Sequence, residues 1–196
     1  LVSAKLALRL KKLEEECAAK DVKIHQLEER VEELERKCDD QEQYSRRTSV
    51  RIYGVPETQG ENVSHLASEI FTEMNLNPTI NRIHRVGPPH SSESKSPNSS
   101  VPSQNSKSPR PILCQFVSYP DKANVMKKRK LLSTNFPQVF INEDLTRTRA
   151  KLLFEARQKK KHGLINDCWS FDGRIAIKDK NNKITPIRKS SDLAKY

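Results

Sequence analysis

The chain has 196 residues, with 36 Lys and Arg against 25 Asp and Glu and a formal net charge of +11. That length allows one medium or two small cores, and neither a membrane-length apolar run nor a signal-peptide pattern is visible. The four cysteines, Cys17, Cys38, Cys114 and Cys168, form no C-x-x-C pair, which points to a reducing compartment without a zinc site. The chain opens on Leu1 rather than Met and reads as a fragment or a processed form.

Residues 1–43 are predicted to form a parallel coiled coil. One heptad register fits, with Leu10, Cys17, Ile24, Val31 and Cys38 at a, and Leu6, Leu13, Lys20, Leu27, Leu34 and Gln41 at d. Neither Pro nor Gly interrupts the run. A seven-residue repeat keeps its seam on one side only when helices supercoil around each other. A helix packed on its own domain needs a wider stripe. Ile24 and Val31 at a, with Leu27 and Leu34 at d, favour two strands. Arg9 to Glu14 and Arg30 to Glu35 instead read Arg-h-x-x-h-Glu, where h is apolar, a pattern typical of parallel trimers. Arg30 at g and Glu35 at e then bridge neighbouring helices. Three strands are expected, with two as the alternative, and Cys17 and Cys38 are expected as small seam residues.

Gln43 to Thr48 reads as a polar hinge. Ser49 to Val55 reads as a strand, and a helix capped by Asn62 follows, with Val63, Leu66, Ala67, Ile70, Phe71 and Met74 on one face. Ile80 to Val86 and Pro111 to Ser118 are the next strands. A helix from Pro120 to about Leu132 precedes a strand at Val139 to Asn142. The order is βαββαβ, the ferredoxin-like arrangement. Residues 88–110 are rich in Ser, Pro, Asn and Lys, bury nothing and are expected to be disordered. Thr146 caps a helix to about His162, and Gly163 stops it. Asp172-Gly173 signals a hairpin between Cys168–Phe171 and Arg174–Lys178. Lys183 to Ile187 adds a strand, and Ser190 or Ser191 caps a last helix.

Charge divides unevenly. Residues 1–43 hold nine Lys and Arg against twelve Asp and Glu, whereas residues 44–196 hold 27 against 13. A basic region of net +14 on an acidic oligomeriser suggests a polyanionic partner. A βαββαβ domain that binds RNA normally stacks bases on aromatics of its central strands. Here Val50 and Ile52 should face the helices, leaving Arg51 and Tyr53 on the open side. Pro111, Leu113 and Gln115 stand where the usual motif has aromatics, so the RNA recognition motif is atypical and Tyr53 is its one stacking ring. Grip falls to Arg46, Arg47, Arg82 and Arg85, to Lys127, Lys128, Arg129 and Lys130, and to Arg147, Arg149, Lys151, Arg157, Lys159, Lys160 and Lys161. Such a site contacts phosphates, tolerates sequence and weakens with salt. The plainer reading of each run is a solvated face, and Lys127–Lys130 and Lys159–Lys161 also read as nuclear-import signals.

No triad, paired-carboxylate grouping or phosphate loop is visible, so no enzyme, cofactor, metal or small-molecule substrate is expected. Glu143-Asp144 reads as helix-dipole charge rather than a metal site.

Several pieces share an order with a known family. They are Tyr44-Ser45-Arg46-Arg47 leading to Arg51-Ile52-Tyr53-Gly54-Val55-Pro56-Glu57, His84-Arg85-Val86-Gly87, Arg110-Pro111-Ile112, Ile141-Asn142-Glu143-Asp144-Leu145-Thr146 and Asp172-Gly173-Arg174-Ile175. The chain resembles the gag-like first-open-reading-frame protein of LINE-type retrotransposons, the "transposase domain" family without transposase activity. From Phe140 on it also resembles the C-terminal domain of the baculovirus few-polyhedra protein, including Ser190-Ser191-Asp192-Leu193.

The resemblance implies a homotrimer that coats single-stranded RNA, and DNA, as a nucleic-acid chaperone in ribonucleoprotein particles. These are expected in the cytoplasm and also in the nucleus. By position it carries over Arg46, Arg47, Arg82, Arg85, Arg129 and Arg149. The 88–110 insertion departs from the family's compact loop, leaving only Arg110 at its end. The fold class expected is α+β: a coiled coil over 1–43, an atypical RNA recognition motif over 44–145 and a small basic α/β domain over 146–196. The alternative function is a structural adaptor of few-polyhedra type acting through coiled-coil protein contacts.

Overall fold

The computed structural model describes residues 2–88 and 108–196. The insertion expected at 88–110 therefore lies outside the described residues, apart from Pro88 and residues 108–110. The architecture is α+β, with a long N-terminal helix and antiparallel sheets. Residues up to Glu42 form one unit and Gln43–Tyr196 a second.

The first unit is helical throughout its described length. It belongs to α1 (Val2–Ser45), which no Pro or Gly interrupts. Leu10, Leu13, Ile24, Leu27, Val31 and Leu34 are each 46–56% exposed in the single chain. A row of apolar side chains open to water is unfavourable, since burying each one is worth about 1.5–3 kcal/mol. Cys17 and Cys38 are exposed too. Arg30 and Lys37 both pair with Glu33, at 2.6 Å each, and those hydrogen bonds hold its carboxyl below the usual range.

In the second unit, β1 (Ser49–Tyr53), β2 (Ile80–Arg85), β3 (Ile112–Phe116) and β4 (Phe140–Glu143) form an antiparallel sheet in the order β2-β3-β1-β4. Helices α2 (Val63–Glu73) and α3 (Tyr119–Lys128) connect them. Alternation sends Val50, Ile52, Ile112, Cys114, Phe116 and Ile141 inward, where they meet Ala67, Ile70, Phe71, Met74 and Val125. The Asn62 side chain accepts from the His65 amide at 3.1 Å, as a cap should. Burial pushes the Cys114 thiol up to about 12. The helix expected to reach Leu132 instead ends at Lys128 and tightens into a 3-10 turn (Arg129–Leu131) before the short α4 (Leu132–Asn135). Such tightening is common where helix carbonyls run out of partners.

A second core lies in α5 (Arg147–Lys161), the sheet β5 (Asp167–Phe171), β6 (Arg174–Lys178) and β7 (Ile184–Ile187), and α6 (Ser190–Leu193). Leu152, Leu153, Ala156, Ile165, Ile175, Ile177, Ile187 and Leu193 fill it. Asp172 and Gly173 both adopt positive φ, 47° and 74°, which a two-residue hairpin turn demands. The residue before α6 is Lys189, not Ser190 or Ser191. The Asp192 carboxylate closes this end by accepting from the Arg188 and Lys189 amides.

The expected hinge at Gln43–Thr48 is instead built into the fold. Helix α1 continues to Ser45, and Gln43 is buried. Gln43 donates from Nε2 to the Asp144 carbonyl and accepts at Oε1 from the Thr146 amide, each at 3.0 Å. Two backbone groups of the β4–α5 connection thus take a glutamine in place of water. A Cβ on Gly173 would stand 2.4 Å from Gln43 Cγ, so this turn glycine is required by space as well as by φ.

Candidate nucleic-acid interface

The face of the first sheet away from its core is the natural place to look, because alternation sets its side chains. Opposite Ile52 and Ile141 in that alternation stand Tyr53 and Phe140, which are register partners across β1 and β4. They are 36% and 60% exposed. Direct cross-strand partners share a face with Cβ atoms about 5 Å apart, so two aromatic side chains rise from neighbouring strands on the open face. Arg51 and Asn142 are the next pair on that face, followed by Leu113 and Gln115 of β3 and His84 and Arg82 of β2. Alternation along β1 alone points to Tyr53 as the one ring. Phe140 was missed, although its place between buried Val139 and Ile141 was the signal.

The predicted arginines split into two groups. Arg85 is consumed by the fold. Its guanidinium donates to Glu61 at 2.7 and 2.8 Å and to the carbonyls of Val55, Pro56 and Arg110 at 2.9, 2.7 and 2.6 Å. The Arg85 hydrogen bonds hold Glu61 below the usual carboxylate range despite burial. Arg110 grips Glu57 and donates to the Gly87 carbonyl at 2.7 Å. That contact lowers the Glu57 carboxyl and raises the Arg110 guanidinium. These two residues pin the chain on both sides of the 89–107 segment.

Arg46 and Arg51 converge on buried Asp144, Arg46 with one nitrogen 3.0 Å from each oxygen and Arg51 with Nε at 2.6 Å. Arg129 donates to the Ile141 carbonyl at 3.0 Å and Arg149 to the Gly173 carbonyl at 3.2 Å. Lys128 reaches the Met74 and Asn75 carbonyls at the end of α2, both at 3.3 Å. The Lys127–Lys130 cluster is thus divided, with Lys127 and Lys130 exposed and the two residues between them tied down.

Arg47 lies with its guanidinium carbon 3.9 Å from the centroid of the exposed Tyr44 ring, a cation–π pair. The two border a cleft that Asn81 and Gln115 also line. Arg82, Arg147 and Arg157 are exposed, and Lys159 is half-buried. Lys160 pairs with Asp167 at 2.6 Å, which raises the lysine and lowers the aspartate.

The helix-dipole reading of Glu143-Asp144 is replaced by a larger role. Both carboxylates are buried, so each must be paired. Glu143 accepts from Lys122 Nζ at 2.7 Å and from the Asp172 and Gly173 amides at 2.8 and 3.2 Å. Lys122 also donates to Asp172 at 2.8 Å, and the Tyr119 hydroxyl bonds that same carboxylate. Burial alone would lower Lys122 and raise Asp172. Their contacts outweigh it, so the lysine ends above its ordinary value and the aspartate below. This hub joins α3, β4 and the β5–β6 turn, and so fastens the two cores to each other.

Among the described residues no group of three or more His, Cys, Asp or Glu is placed to hold a metal, and no helix is long and apolar enough to cross a membrane. No known family model matches the chain, and no curated protein matches it.

Proposed function

We propose that the chain is a self-associating, non-enzymatic protein that binds single-stranded RNA, and DNA, on the open face of an atypical RNA recognition motif. The observation that carries this reading is the exposed Tyr53–Phe140 pair on the open face of the sheet, with Arg51 next along β1 and Arg82 at the far end of the same face, in a region of net positive charge. Aromatic platforms beside cations hold single strands with little regard to sequence, because every base has a π-face. The α1 seam supplies the second half of the reading. Its exposed heptad positions are covered when helices associate as a coiled coil, three by the Arg30–Glu35 pattern and two as the alternative. Several modest sites on one strand then gain through effective concentration. The chaperone role and the retroelement origin follow from the family resemblance. In the adaptor reading the same seam recruits another protein and the sheet face stays unused.

Fluorescence anisotropy with a labelled single-stranded oligonucleotide tests the proposal. Tyr53→Ala with Phe140→Ala is expected to weaken binding by about tenfold or more, since each stacked base is worth about 1–3 kcal/mol. A wild-type chain indifferent to the oligonucleotide at physiological salt would sink the reading and favour the adaptor.

A further inference from the structure

The open face of the first sheet runs into a cleft at Gln115. The cleft has a volume of about 380 Å³ and brings Tyr44, from the end of α1, and Arg47, from the turn after it, together with Asn81 of β2 and Gln115 of β3. That volume falls in the range of about 300–1,000 Å³ typical of small-ligand sites. Of the lining residues only Arg47 carries a charge, and none is acidic. Its guanidinium covers one face of the Tyr44 ring, which is still 66% exposed. The pair offers a flat surface for stacking, since unpaired bases stack on aromatic rings and on guanidinium planes alike.

The two amides meet each other. Asn81 Nδ2 donates to Gln115 Oε1 at 3.2 Å. The pairing of β2 with β3 slips in register at Asn81, between Ile80 opposite Phe116 and Arg82 opposite Gln115. Irregularities of this kind re-aim a side chain, and here Asn81 ends against Gln115 on the open face. One amide spent on the other leaves a carbonyl oxygen and an N–H on the pair, whichever way round the two are turned. An acceptor beside a donor is the complement of an adenine edge, where an exocyclic amine stands next to a ring nitrogen. A backbone phosphate has no proton to give the acceptor.

We propose that this cleft reads one base of the bound strand and prefers adenine, with Tyr44 and Arg47 as the stacking plane and Asn81 and Gln115 as the edge readers. The inference rests on the single-strand reading and deepens it. Tyr53 and Phe140 hold any base by its face, whereas the cleft adds a preference at one position. A purine also covers more of the Tyr44–Arg47 plane than a pyrimidine does, which acts in the same direction.

The test uses the full chain in fluorescence anisotropy with two labelled RNAs of equal length, a CA repeat and a CU repeat, which differ only in adenine against uracil. Wild type is expected to bind the CA repeat at least about fivefold more tightly, the lower end of what paired contacts to a base edge discriminate. Asn81→Ala and, separately, Gln115→Ala should bring the two affinities together by weakening the CA repeat, with the CU repeat held as before. Asn81 is exposed, so its truncation should leave the melting temperature in place. Tyr53→Ala with Phe140→Ala should weaken both RNAs and keep their ratio. Equal binding of the two repeats by wild type overturns the cleft while leaving the sheet face standing. So does a preference that survives in both amide variants, or an equal loss on both repeats, which would mark Asn81 and Gln115 as contacts indifferent to the base. Wild-type chain that ignores both RNAs removes the single-strand reading itself, and this inference with it.

Discussion

Lys122 shows how much one side chain can carry. It is buried with Glu143 and reaches Asp172, fifty residues further along the chain. Removing one member of a buried pair leaves the other charge without compensation, at a cost of about 3–5 kcal/mol. Lys122→Ala should therefore lower the urea midpoint far more than Lys127→Ala, an exposed change expected within about 0.5 kcal/mol. Equal midpoints for the two variants would show that the Glu143 hub contributes nothing. None of this was visible in the sequence. Lys122 stands in an amphipathic helix among other lysines, and only the meeting of α3 with the Asp172-Gly173 turn makes it interior. Asp172-Gly173 itself was legible as a turn, because Asp-Gly favours positive φ. That its amides also hold Glu143 depends on a long-range contact that no local pattern encodes. The same holds for Arg85, whose charge looked available and is saturated by Glu61 and three carbonyls.

At the scale of elements the sequence was informative wherever periodicity ran for several turns. The alternation at 49–53 and 112–116, the one-face spacing at 63–74 and the Thr146 cap all correspond to observed elements. Boundaries failed where tertiary contacts override local preference. The polar run at 43–48 looked like a hinge because Gln43 has no apolar signature, yet its amide fits two backbone groups. For α1, the sevenfold pattern coincides with a seam left open in the single chain, but the number of strands is a property of several chains. Leu27→Lys with Leu34→Lys puts two charges into the proposed seam. In light scattering the wild type is expected at the mass of three chains and this variant at the mass of one. Both at one mass would separate the apolar pattern from self-association. If the sheet face works alone, the dissociated variant should still bind oligonucleotide, more weakly through lost avidity.

For the whole molecule, stability against pH ties these contacts to the charge balance. Asp172 and Glu61 have carboxyls held below their ordinary values of 3.8 and 4.5 by Lys122 with Tyr119 and by Arg85, against the opposing pull of burial. A group depressed in the fold contributes stability that is present above its unfolded value and lost as pH falls through the folded one. Acidification also neutralises 25 carboxyl groups in a chain already at +11, so self-repulsion grows in the same window. On the alkaline side, Lys122 is raised above 10.5, its two carboxylate contacts outweighing burial. Tyr119 is raised above 10.0, first by its bond to Asp172 and then by burial. A raised group contributes stability that is complete below its unfolded value and disappears as pH climbs through the folded one. Urea unfolding followed across pH should therefore give a plateau over the neutral range, falling below about pH 4 and again above about pH 10. Lys122→Ala combined with Tyr119→Phe should lower the plateau and flatten the alkaline limb, because both raised groups are gone. The acid limb should remain, carried by Glu61 and the growing net charge. An alkaline limb of unchanged slope in that double variant would place the high-pH loss elsewhere and remove the hub as its cause.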